Sequence, residues 1–143
     1  MLIDSFPTKL NGELTYGKYY GPITGDKLQF TFEIQWKNTY FSGIAKDVSG
    51  RGFSPDDAAI EGQLLGDTIT FTKRYRRRHF AKPDFSTGFQ DKPGFPIFYT
   101  AKFNSDKNQF EGTWKIVREF KVLPFLKFQQ SLGEGTFWLK ATE

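Results

Sequence analysis

Leu28-Gln-Phe30-Thr-Phe32-Glu-Ile34-Gln-Trp36 alternates apolar and polar residues without a break. A helix would scatter those five apolar side chains around its circumference, whereas a pleated strand gathers them on one face. The same period of two returns along the chain, punctuated by turn residues. It predicts strands over 12–20, 28–36, 40–46, 58–65, 68–79, 95–103, 109–118 and 134–141. Ser49-Gly50-Arg51-Gly52, Gly66-Asp67 and the run from Asn104 to Asn108 separate them. Two hairpins follow, 58–65 with 68–79 and 95–103 with 109–118. Only two places read as helical. Ser54-Pro55-Asp56-Asp57 has an N-cap followed by proline, enough for one turn. Pro124 to Leu132, stopped by Gly133, reads as a short helix.

An apolar residue, any residue and a glycine recur as Phe41-Ser-Gly43, Ile60-Glu-Gly62 and Phe110-Glu-Gly112, with Gly133-Glu-Gly135-Thr-Phe137 as a looser echo. Glycine weakens a strand and leaves nothing to pack, so it marks a bend, a bulge or a close approach. In this register each glycine shares a face with the apolar residue before it. The simplest reading is an inward position kept small, as tightly coiled strands need in order to close. Closure also removes the exposed edges of a meander that has no covering helices. The expectation is an all-β fold, an antiparallel up-and-down β-barrel of about eight strands, with a two-sheet sandwich as the alternative. A length of 143 residues suits one domain spanning 1–143.

The ordered segments FSGIAKD, IEGQLLGDTITFTKRY, FEGTWKI and GEGTFWL make the chain resemble the lipocalin-like (calycin) barrels, above all their small uncharacterised bacterial members. The resemblance covers roughly residues 10–142 and is architectural. It implies a cavity for a small, often apolar molecule. It brings no catalytic residue with it.

Charge is concentrated in one place. Lys73, Arg74, Arg76, Arg77 and Arg78 account for more than the formal net charge of +4; four minus five leaves −1 for the rest. Strand alternation through this run places Ile69, Phe71, Lys73, Tyr75, Arg77 and His79 on the face that begins apolar, and is therefore inward. Arg74, Arg76 and Arg78 fall on the outward threonine face. An inward cation is costly unless it is paired or wet. Arginine offers a planar fork for a carboxylate or phosphate, and tyrosine a hydroxyl donor. The functional expectation is that Lys73, Tyr75, Arg77 and His79 receive the anionic head of a small hydrophobic or amphipathic ligand. Phe30, Phe32, Trp36, Phe71, Tyr99 and Trp114 would wall its apolar body. Aromatics make up 18 % of the chain, enough to line a cavity or to fill it. The competing reading is a filled barrel serving as a structural or protein-interaction module, with Lys73 and Arg77 paired to Asp47 or Glu61.

Other classes fit less well. A basic strand with interleaved aromatics is suitable chemistry for nucleic acid, but the charge outside 73–79 supports no groove-length track. Arg51-Gly52-Phe53 opens like an RNA-recognition signature, and Ser54-Pro55-Asp56 breaks it. A single histidine and no cysteine exclude a three-histidine or thiolate metal site, so neither metal nor cofactor is expected. With no nucleophile, phosphate-loop or dinucleotide motif, enzyme activity is the minority reading. The N-terminus lacks a signal peptide's pattern, and no stretch approaches a membrane span. A cytoplasmic location is expected, although a secreted chain stripped of its leader would read the same way.

Two segments remain. Residues 119–130, with Phe120, Val122, Leu123, Phe125, Leu126 and Phe128, are too apolar for a wet loop. They read as a helical cap on one barrel end, with a portal lid or a homo-oligomer contact as alternatives. Residues 80–94 read as a flap over a barrel rim, carrying Phe80, Phe85 and Phe89.

Overall fold

The computed structural model describes residues 7–81, 86–124 and 126–142. The start of the chain read above for a leader, together with Phe85 and Phe125, lies outside the described residues, as do the side chains of Phe80, Phe120, Val122, Leu123 and Phe128.

Ten strands form. They are β1 (Lys9–Tyr16), β2 (Lys27–Lys37), β3 (Tyr40–Gly50), β4 (Ala58–Leu65), β5 (Thr68–Tyr75), β6 (Arg78–Ala81), β7 (Thr87–Gln90), β8 (Ile97–Asn104), β9 (Gln109–Leu123) and β10 (Leu126–Ala141). Eight close into an antiparallel barrel in the order β1-β10-β9-β8-β5-β4-β3-β2, with β2 returning to β1. β6 and β7 form a separate two-stranded hairpin between β5 and β8. The architecture is the expected closed up-and-down barrel, with no sandwich. On β2 the alternation does what pleating dictates: Leu28, Phe30, Phe32 and Ile34 are buried while Gln29, Thr31, Glu33 and Gln35 are exposed.

Three expectations are corrected. Within the stretch 124–132 the described residues are not helical, because β9 and β10 run past their other neighbours and pair with each other as far as Leu123 and Leu126. A helix there would leave the backbone of the far end of β9 without partners; the hairpin supplies them. Pro124 sits at the turn, and Gly133 adjoins a register shift rather than ending a helix. Ser54-Pro55-Asp56 likewise forms no helical turn: the Ser54 hydroxyl accepts the Asp56 N–H at 3.1 Å, but the chain bends onward. The strand expected over 68–79 stops at Tyr75, which decides where the basic run points.

Inside the barrel glycines flank a run of rings. Around one circumferential row, Phe41 faces Gly62, Gly62 faces Phe71, Phe71 faces Tyr99, Tyr99 faces Trp114, and Trp114 faces Gly135. A Cβ on Gly62 would run into the Thr70 carbonyl and the Phe71 backbone, and one on Gly112 into the Thr100 carbonyl and Ala101. The recurring glycine is therefore a site of close backbone approach between neighbouring strands, where any side chain would push them apart.

The barrel ends differ. One end carries the β2–β3, β4–β5 and β8–β9 turns. Its half is filled by Phe32, Ile34, Phe41, Leu64, Ile69, Phe110, Phe137 and Leu139, all buried. Phe71 stacks on Tyr99 at 4.6 Å and meets Phe32 edge-on at 5.3 Å. The other end carries the longer connections: a 3₁₀ turn over Lys18–Ile23, the segment 51–57, and the β6–β7 hairpin. That half is hollow.

Candidate functional site

The hollow end encloses a cavity of about 460 Å³, within the range of roughly 300–1,000 Å³ usual for small-molecule sites. Its wall is assembled from six barrel strands: Leu14 and Tyr16 of β1, Leu28 of β2, Lys73 and Tyr75 of β5, Ile97 and Tyr99 of β8, Trp114, Ile116 and Arg118 of β9, and Leu132 of β10. Tyr20 enters from the 3₁₀ turn. Arg78, His79, Gln90, Gly94 and Phe95 come from the β6–β7 hairpin and its exit, folded over the mouth. A shallower concavity of about 810 Å³ crosses the outside of β3, β4, β5 and β8, where Tyr40, Gln63, Thr70, Thr72 and Thr100 face solvent.

Three polar side chains of the wall are already occupied, those of Tyr16, Tyr75 and Trp114. Tyr16 donates its hydroxyl to the Arg51 carbonyl at 2.8 Å, and Tyr75 to Asp47 Oδ1 at 2.7 Å. Asp47 Oδ2 accepts the Ser54 N–H at 3.0 Å, and Trp114 Nε1 donates to the Thr136 carbonyl at 3.0 Å. Three buried polar atoms have no hydrogen-bond partner among the described residues: Lys73 Nζ, Arg78 Nε and Tyr99 OH. All three residues belong to the same cavity wall. An unsatisfied buried donor costs about 1–3 kcal/mol, more when charged, so three in one place constitute an unfilled demand for acceptors.

Lys73 is completely buried. Its Nζ lies 4.8 Å from the centre of the Phe30 ring, 5.0 Å from that of Tyr75 and 5.4 Å from that of Tyr99. Burial holds its pKa below the usual lysine value, with the Asp47 charge pulling part of the way back. Burial pushes the Tyr75 and Tyr99 phenols well above their ordinary range, and Asp47 adds to both. They are neutral donors at any physiological pH. Arg78 lays its guanidinium 3.7 Å from the centre of the Phe95 ring.

His79 meets Tyr75 edge-on at 4.4 Å, and burial lowers its pKa from 6.5. Below pH 6.5 the unfolded chain takes up a proton that folded His79 resists, so acid removes stability across that window. Replacing His79 by glutamine should flatten the fall of stability below pH 6.5, read as urea midpoints across a pH series. An unchanged slope would mean that the imidazole is free to titrate in the fold.

The ten residues expected at the site are distributed as follows. Lys73, Tyr75, His79, Tyr99 and Trp114 are brought together around the cavity. Phe30, Phe32 and Phe71 belong to the packed interior, with Phe30 touching the site only through its ring beside Lys73. Trp36 sits at the opposite end of the barrel and donates to the Pro7 carbonyl at 2.7 Å. Arg77, expected inward, points away: its Nε is 2.7 Å from Asp56 Oδ2 and its guanidinium 4.2 Å from the centre of the Phe89 ring. Arg78, expected in solvent, takes a place in the cavity wall instead. The reason is the bend at residues 76–77, which interrupts the alternation that would otherwise carry through from Tyr75. The pairing of Lys73 with Glu61 offered by the filled-barrel alternative does not form, because Glu61 is exposed opposite Thr72 on the outer face. Asp47 is near enough to act on Lys73 electrostatically, but its hydrogen bonds go to Tyr75 and Ser54.

Sequence reasoning missed Leu14, Tyr16, Tyr20, Phe95 and Arg78. Leu14 and Tyr16 were legible as inward positions of β1. Nothing local marks Arg78. Comparison with known proteins found no matching family model, no similar curated protein and no similar solved structure.

Proposed function

We propose that this chain is a calycin-like binding protein that holds a small amphipathic molecule at the hollow end of its barrel. The ligand's apolar body lies against Tyr16, Trp114, Ile97 and Ile116, and its acceptor-bearing head faces Lys73, Arg78 and Tyr99. The observation that carries this reading is the convergence of three unpartnered buried donors on one ring-walled cavity. Arg78 offers a planar guanidinium fork, which suits an oxygen acceptor on that head, a carboxylate or a carbonyl. The role is binding without catalytic turnover of the ligand.

The test is calorimetric titration with decanoate, alongside native mass spectrometry and solvent extraction of the freshly purified protein. Decanoate should bind, and Arg78→Leu should weaken it about tenfold or more, the scale of one charge-assisted hydrogen bond. If decanoate and decanol both fail to bind and extraction yields nothing, the cavity reading falls. The alternative is then an interaction module acting through its surface. The β9–β10 extension, with Leu126 exposed at its tip, is the place for a second copy, and the same native spectrum reports it.

A further inference from the structure

Lys73 combines features that a merely cationic contact does not need. Its amine is fully enclosed, with neither an ion pair nor a hydrogen-bond partner among the described residues. Its neighbours in register on the adjacent strands are Ile60 of β4 and Ile97 of β8. The charged and titratable groups facing it are Asp47 from β3, Tyr75 from its own strand, Tyr99 from β8 and His79 from β6. Asp47 is committed to Tyr75 and Ser54, so no carboxylate closes on the amine. A lysine desolvated without a counterion tends to the neutral form, and a neutral amine is a nucleophile.

We propose that Lys73 is an imine-forming residue and that the molecule held in the cavity carries an aldehyde carbonyl. This rests on the cavity-binding reading and names the head group it takes. The Nζ lone pair attacks the carbonyl carbon, and the C=O π bond opens onto oxygen. The oxygen gains the proton that nitrogen loses, giving a carbinolamine. Loss of one water then leaves the C=N bond. No oxidant or reductant enters, and the reverse reaction needs only that water. The free Tyr99 hydroxyl is placed to donate to the carbonyl oxygen, whereas that of Tyr75 already donates to Asp47. An apolar, ring-walled pocket suits an aldehyde with a hydrocarbon body, and it slows hydrolysis by keeping water out.

The test uses the full chain, decanal and sodium cyanoborohydride, which converts an imine to a stable secondary amine. Intact mass and peptide mapping then locate the alkyl group. Lys73 should be labelled about tenfold or more faster than the other lysines, and should stay reactive at mildly acid pH where exposed lysines are protonated and fall silent. Excess decanol should slow Lys73 labelling without slowing the rest. Lys73→Met and Lys73→Arg should both abolish the fast adduct. If decanol binds by calorimetry but Lys73 is labelled no faster than surface lysines, the imine is overturned and the cavity reading stands. If decanoate, decanol and decanal all fail to bind and extraction yields nothing, both fall together.

Discussion

Phe71→Ala should cost about 3–5 kcal/mol, the range for removing a buried ring from a packed core, and lower the melting temperature by roughly 10–15 °C. Phe71 is 4 % exposed. It stacks on Tyr99, meets Phe32 and Phe137 edge-on at 5.3 and 5.8 Å, and tilts against Phe41 at 6.1 Å. Its neighbour in register on β4 is Gly62, which has no side chain with which to fill the space. The surrounding rings come from four other strands held by their own ladders, so collapse into the hole is limited. The loss should therefore lie near the upper end for core truncations, and calorimetric or urea unfolding measures it directly. A cost below about 1 kcal/mol would mean that the barrel relaxes around the gap and that its interior is not the tightly packed half described above.

Lys73→Met should have the opposite sign. Methionine keeps the length of the side chain and removes an unpaired buried amine, so stability at neutral pH should rise by about 1–3 kcal/mol. Three ring faces offset part of the cost of the charge, at about 0.5–2 kcal/mol each. They do not reverse it, because the desolvated ion costs several kcal/mol and the net displacement of the pKa is downward. The pH dependence separates this from a simple packing gain. Between the lowered value of folded Lys73 and the ordinary 10.5, the unfolded chain binds more protons than the folded one. Wild-type stability must therefore rise with pH through that window. The methionine variant lacks that rise. Both proteins should lose stability as pH climbs past the ordinary tyrosine value of 10.0, because folded Tyr75 and Tyr99 hold their protons longer than the unfolded chain does. Urea midpoints across a pH series test both signs. A variant less stable than wild type throughout would show that the amine is needed by the fold itself.

The two predictions concern the two halves of one barrel, and those halves were not equally legible. The filled half follows from alternation. Phe32, Ile34, Ile69, Phe71 and Phe137 all point inward where a period of two places them. The recurring glycines fall where strands crowd, as their lack of a side chain implied. The candidate site was legible only as far as strands continue. Lys73 and Tyr75 were placed correctly because β5 is regular up to Tyr75. Arg77 and Arg78 exchanged roles because the bend at 76–77 breaks the period, and no turn residue announces it. The stretch 124–132 read as helical because apolar residues bounded by proline and glycine fit a short helix as well as a strand; pairing with β9 decided between them.

The sequence by itself therefore determined the eight barrel strands in their order along the chain, their inward faces and an antiparallel meander that closure suits. These are period-two properties, and each is written in residues close together along the chain. Only the tertiary structure decided that one end of the barrel is hollow, that Arg78 rather than Arg77 joins its wall, and that Lys73 lies there unpaired. Those facts depend on which side chains from six or more distant segments share a volume. Ring sizes summed along a chain do not say whether the space they enclose is closed or left open.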